Sequence, residues 1–158
     1  MGITLSFRPT SAPNKAVADQ LKEKCKALGP YDTWWSEQPI LMDVNDRGLM
    51  GMQKVSLPGY SVTDGGYQEV EQEEDLLMMW HDITRTLSSL TTWARDFGIG
   101  WEISLEGEPF GTIDAAGRFS SELSNSLSEL LSMSGAPTDE QERASLVSQI
   151  ARKYASRW

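Results

Sequence analysis

Seven apolar side chains, Leu76, Trp80, Ile83, Leu87, Leu90, Ala94 and Phe97, recur at spacings of 4, 3, 4, 3, 4 and 3 residues. An α-helix, at 3.6 residues per turn, brings such a series onto one face. The spacing therefore predicts one long helix from near residue 69 to 97, stopped by Gly98. A helix of that length crosses a whole small domain, and its apolar stripe has to be covered by another layer. Glu69, Glu71, Glu73, Glu74 and Asp75 stand at its beginning. That is the positive end of the helix dipole, so part of this acidic run stabilises the helix itself.

Winding the same helix at 100° per residue sets His81, the only histidine, nearly opposite the stripe, beside Glu74, Met78, Arg85 and Ser88. Leu77 and Met78 also leave the stripe. Apolar groups on that outer face either lie under a further layer of the same protein or meet a partner. Trp34 and Trp35 pose a similar choice. On an extended segment, adjacent side chains point to opposite faces, so one indole is a candidate outward anchor unless a loop buries both.

The flanking segments supply the other layers. Ile3 to Phe7 alternates as a half-buried strand does. The M-G-x-x-x-S start, with Gly2 and Ser6, also fits a lipid-acceptor pattern. A helix then follows a cap at Thr10, Ser11 or Asn14, carries Val17, Leu21, Cys25 and Leu28 on its stripe, and ends at Gly29-Pro30. Two short strands are expected near Ile40 to Val44 and Leu49 to Leu57, then a polar loop from Pro58 to Tyr67. Beyond Gly98, Trp101, Ile103 and Leu105 alternate with polar residues, turn at Gly107 to Pro109 and resume at Phe110 to Asp114 as a hairpin. Leu123, Leu127, Leu130 and Leu131 mark a helix stopped at Gly135. A last helix opens with a Thr138/Gln141 capping box and carries Val147, Ile150, Ala151, Tyr154 and Trp158 on one face. The expected class is α+β, a small antiparallel or mixed sheet of about four to five strands covered by about four helices. No repeat or linker divides residues 1–158, so a single domain is expected.

Composition excludes several classes. Six tryptophans argue against disorder, and the longest apolar run, Leu76 to Trp80, is too short to cross a bilayer. One cysteine, Cys25, makes no internal disulfide, and the start lacks a long apolar leader, so a cytoplasmic setting is expected. On its stripe Cys25 reads as a small buried hydrophobe. The net charge is −9, and residues 61–117 hold 2 Lys+Arg against 12 Asp+Glu. Such a field repels nucleic-acid phosphates and attracts basic protein surfaces, besides serving solubility.

The chemistry-bearing motifs fail one by one. One His and one Cys leave only carboxylates for a metal, and the calcium-loop-like Asp43 to Gly48 puts Arg47 and Lys54 where oxygen ligands belong, so no metal or cofactor is expected. Asp96-Phe97-Gly98 matches the kinase magnesium triplet without any accompanying phosphate loop, and no nucleophile elbow, Walker or dinucleotide pattern is present. Glu102 and Glu106, on one strand face, stand about 13 Å apart, wider than a glycosidase pair. Glu74 with His81 could orient a general base, or be an ordinary exposed pair.

The first expectation is thus a non-catalytic protein-binding module. Small acidic proteins of this general kind include bacterial immunity proteins that neutralise a nuclease or other toxic enzyme, a likeness of kind and not of motif. The expected contact residues are Glu69, Glu71, Glu73, Glu74, Asp75 and Asp82, with Leu77, Met78, His81 and Trp34 or Trp35 as anchors on a basic partner. The alternative is a small enzyme or ligand-binding protein with a carboxylate-based site in a tryptophan-lined cleft. A homo-oligomer packing through helix faces is a third possibility.

Overall fold

The computed structural model describes residues 3–28, 34–35, 38–45, 48–56, 60–63, 66–69 and 71–154, with the strand course alone for 41–45, 56, 60–63 and 66–69. Its elements run β1 (Ile3–Pro9), α1 (Lys15–Lys26), β2 (Ile40–Asn45), β3 (Gly48–Ser56), β4 (Tyr60–Thr63), β5 (Gly66–Glu69), α2 (Gln72–Phe97), β6 (Trp101–Leu105), β7 (Glu108–Ile113), α3 (Ser121–Met133) and α4 (Glu140–Lys153). The architecture is α+β, as the sequence predicts. Five strands form one sheet in the order β2-β3-β1-β6-β7. Every neighbouring pair is antiparallel, which settles the choice between an antiparallel and a mixed sheet. Among the described residues no helix is long and apolar enough to cross a membrane.

Three local expectations need correction. The stretch read as a polar loop from Pro58 to Tyr67 contains β4 and the first half of β5, which pair with each other as a separate two-stranded sheet. A ladder can form there because its hydrogen bonds are backbone bonds, which a polar sequence supplies as well as an apolar one. The same hairpin takes Glu69 out of the long helix, which begins at Gln72. The last helix is capped by Asp139, whose carboxylate accepts the Glu142 N–H, and not by Thr138. Asn14 and Ser120 cap α1 and α3 in the same way. The stops at Gly29-Pro30 and the side chain of Trp158 lie outside the described residues.

β1 is the middle strand, and its register sets the core. Phe7 stands opposite Gly51 on one side and Ile103 on the other, so these three share the face that looks toward the helices. Phe7 meets Trp101 edge to face with ring centres 6.0 Å apart. Onto this face α2 lowers Met79, Ile83, Leu87, Leu90 and Ala94, all at most 2% exposed, while α1 adds Leu21 and Cys25. Leu76, Trp80 and Phe97, at the ends of the predicted stripe, are only half-buried. The helix is about 39 Å long at 1.5 Å per residue and overhangs the sheet. Its run of hydroxyl residues is accommodated because Thr91 and Thr92 donate to the carbonyls of Leu87 and Ser88, one turn back. The helix ends as expected, with Gly98 in the left-handed conformation.

α3 docks on β7 at one glycine. Gly111 has φ +147°, and a Cβ placed there would lie 2.4 Å from the Cα of Leu123. Backbone touches backbone at that point, so α3 can lie this close only over a glycine. Gly107, in the hairpin turn at φ +79°, has nothing within 4 Å of its would-be Cβ. Gly111→Ala is expected to cost about 3 kcal/mol or more, from overpacking added to backbone strain, and Gly107→Ala about 1 kcal/mol from strain alone. Urea unfolding of the two variants checks this, and equal losses would contradict the close approach of α3.

Candidate functional site between the second and fourth helices

The outer face of α2 resolves in favour of an internal layer. α4 runs back along α2, so that Lys153 and Tyr154 at its end meet Glu74 near the start of α2, while Arg143 near its beginning sits over the Trp80 ring at 5.0 Å. Between the two helices lies a second apolar cluster of Trp35, Leu77, Met78, Val147, Ile150 and Tyr154. Leu77 is 1% exposed and Met78 2%. These two side chains are therefore not surface anchors, because α4 covers them.

Trp34 and Trp35 are likewise both buried, at 1% exposure each, which corrects the option of an outward indole. Two aspartates of α2 hold Trp35. Asp82 accepts the Trp35 backbone N–H at 3.2 Å, and Asp75 accepts its indole N–H at 2.9 Å. Seven residues separate these aspartates, two helical turns, so both carboxylates look out on the same side of α2. Asp82 is fully buried and Asp75 nearly so, which removes them from any docking surface. One turn along, the Arg85 guanidinium stacks 3.8 Å above the Trp34 ring. Burial lowers the Arg85 pKa, and the charge of Asp82 opposes that shift. Deeper still, the Thr86 hydroxyl donates to the Gln53 side-chain oxygen at 2.6 Å and ties α2 to β3. The Trp34 indole nitrogen is buried without a hydrogen-bond partner among the described residues.

Of the expected acidic contacts, Glu71 and Glu73 are exposed, and Glu69 ends β5 with its side chain outside the described residues. Glu74 is engaged. It accepts the Tyr154 hydroxyl at 2.8 Å and the Lys153 ammonium at 3.2 Å. Burial, and then the bond to Glu74, raise the Tyr154 pKa, and the same carboxylate raises that of Lys153. Among the described residues the remaining exposed acids of the middle third lie elsewhere: Asp96 at the far end of α2, and Glu102, Glu106, Glu108 and Asp114 along β6, β7 and their flanks. Glu73 and Asp96 are 23 residues apart on one helix, about 35 Å. The acidic third of the sequence is therefore not a single patch. Sequence proximity gathered what the fold spreads out.

What the fold does gather is a groove of about 460 Å³ beside the second cluster. α2 contributes Met78, Trp80, His81 and Thr84, and α4 contributes Glu140, Arg143, Ala144 and Ser148, over a floor of Trp35 and Val147. The opening exists because α4 turns its large residues, Val147, Ile150 and Tyr154, onto α2 and leaves Ala144 and Ser148 at the flank. Arg143 does not point freely into it. One of its terminal nitrogens donates to the carbonyls of Pro137 and Thr138, both at 3.2 Å, pinning the turn before α4. His81 is half-buried, and burial first, then the Arg85 charge, lower its pKa. Its imidazole is accordingly neutral near pH 7, with one ring nitrogen able to accept and the other to donate. Of the eleven side chains named as contacts from sequence, Trp35, Met78 and His81 meet here. Arg143 and Glu140 were missed. Their signal was the spacing of 3 that sets both on one face of α4, legible only once α4 is known to lie against His81.

Among the described residues no group of three or more His, Cys, Asp and Glu side chains could hold a metal ion. Comparison with family models, with characterised proteins and with solved structures finds no match to this chain.

Two predictions follow from these contacts. Tyr154→Phe removes the hydroxyl that Glu74 accepts and is expected to cost about 1–2 kcal/mol. Lys153→Gln acts on an exposed pair and is expected to cost less, by an amount that shrinks in high salt, so urea titrations with and without salt separate the two. For His81 the folded pKa lies below the ordinary 6.5. Between those two values the unfolded chain binds the proton and the folded one does not, so stability is fully present above pH 6.5 and declines as the pH falls toward the folded value. Burial and the Arg85 charge disfavour the imidazolium; across the groove the described lining also holds Arg143 and Glu140. His81→Gln is expected to flatten that part of the stability profile, measured as unfolding midpoint against pH. A parallel profile in the variant would mean that His81 titrates as if exposed.

Proposed function

We propose that this chain is a non-catalytic binding protein whose partner is a basic protein, most concretely an inhibitor of the immunity kind that masks the cationic surface of a toxin or nuclease. The observation that carries this reading is the division of labour among its acids. Asp75 and Asp82, the two that converge, are engaged in holding Trp35. Glu74 is held by Tyr154 and Lys153, while Glu71, Glu73, Asp96, Glu102, Glu106, Glu108 and Asp114 are exposed on different elements of a molecule of net charge −9. A spread of like charge raises the encounter rate with an oppositely charged protein over a wide range of approach directions, and leaves affinity to a smaller desolvated contact. The alternative, a carboxylate-based catalytic or ligand site, calls for acids that meet in a cleft. Among the described residues the groove between α2 and α4 is lined by one, Glu140.

Affinity capture from the native source, followed by titration of the captured partner, tests the proposal. The partner is expected to carry net positive charge, and the association rate to fall about tenfold or more between 50 and 500 mM salt. A neutral or acidic partner, or an association rate indifferent to salt, would overturn it.

A further inference from the structure

The groove between α2 and α4 has no role in holding the fold that its neighbours do not already fill. Below it, Leu77, Met78, Val147, Ile150 and Tyr154 close the second core. To either side, the Glu74 contacts with Lys153 and Tyr154 and the Arg143 contacts with Trp80, Pro137 and Thr138 pin the two ends of α4. What remains between those pins is a slot of about 460 Å³, within the range of sites that take one compact ligand or anchor group.

We propose that this slot receives a single large apolar side chain of the basic partner, with a lysine or arginine beside it in the partner's sequence; the inference rests on the protein-binding reading above and names where that contact is made. The apolar requirement comes from the lining, where the half-buried Trp80 indole gives the open apolar face and the buried Trp35, Met78 and Val147 close the floor behind it. A bulky side chain desolvated there supplies the kind of concentrated affinity that a flat charged surface does not. The cationic requirement comes from charge complementarity. Glu140 is the exposed carboxylate of the lining, and Asp139 and Glu142 flank it in the sequence, also exposed. Arg143, the cation among the described lining residues, is turned to two carbonyls and the Trp80 ring. A neutral occupant would leave Glu140 without a counter-charge, and an acidic one would be repelled by it and by the net charge of −9. The His81 imidazole, half-buried in the wall, is placed to bond a backbone or side-chain polar group of the incoming segment.

Panning a random linear peptide library on the folded chain in low salt tests this directly, with affinities then measured for synthetic versions of the enriched peptides. Enriched sequences are expected to share one Trp, Phe, Leu or Met with a Lys or Arg within a few residues. Ala144→Trp, which fills the slot from the exposed side of α4, is expected to weaken their binding about tenfold or more. Glu140→Lys, on the surface in the first turn, is expected to weaken peptides bearing the cation and to spare the same peptides with that cation replaced by alanine. Thermal unfolding shows whether each variant is folded, and Glu140→Lys keeps the test informative should Ala144→Trp not fold. No enrichment, enrichment of acidic peptides, or undiminished binding to Ala144→Trp would overturn the proposal. So would a concentration-dependent dimer abolished by that variant, which would make a second copy the occupant. If a cationic partner captured from the native source binds Ala144→Trp as tightly as the original chain, the slot assignment fails while the protein-binding reading stands.

Discussion

A helix that carries apolar groups on two faces has to be covered twice, and most of this structure follows from that requirement at α2. The sheet takes one side, with Ile83, Leu87 and Leu90 fully buried against it. That leaves Leu77 and Met78 on the far side near the N-terminal end, which an exposed helix would hold in water at about 1.5–3 kcal/mol each. α4 and the Trp34–Trp35 segment supply the second cover. Neither is placed by the sheet, and both are placed by α2. The two apolar clusters are joined through that one helix, with Trp80 touching both.

The second cover comes with a polar fastening. Trp34 and Trp35 lie in none of the described strands, and buried backbone groups need partners. Asp82 and Asp75 provide them, one for the Trp35 backbone and one for its indole. A buried carboxylate is costly unless it is hydrogen-bonded and offset by charge, and Arg85, one turn from Asp82, gives that offset while stacking on Trp34. Removing Asp82 would therefore do more than delete a hydrogen bond, because its charge also opposes the effect of burial on the Arg85 guanidinium stacked over Trp34.

This is also where sequence reasoning stopped being reliable, and the reason is physical. Periodicity gave the long helix, the β6–β7 hairpin and the strand-helix order, because burial on one face writes itself into local spacing. It also placed His81 away from the main core, as found. Hydrogen bonding between distant segments leaves no such period. Asp75 and Asp82 look, in sequence, like any other members of an acidic run, and only a Trp35 brought back from about 40 residues away distinguishes them. The hairpin of β4 and β5 was missed for a related reason: the alternation of Tyr60 to Thr63 lasts only four residues and Gly66 to Glu69 adds none, too short a period to stand out beside the glycines. Glu140 and Arg143 could not be recognised as neighbours of His81 until α4 had a place.

The same separation of local from distant information bears on how the charge acts. Like charges packed side by side raise each other's free energy, so a chain of net charge −9 gains by dispersing them, and the fold does so by bending residues 61–117 through two hairpins and the long helix. Dispersal weakens any one patch while leaving the potential at a distance set by the total. On the binding reading proposed above, attraction over distance would fall to the total charge and recognition at contact to a feature of shape, such as the groove where α2 and α4 diverge around small side chains. α4 must come close to α2 at Tyr154 to cover Leu77 and Met78, and it is held again at Arg143; with Ala144 and Ser148 between those points, a slot is the geometric remainder of covering the second face of α2.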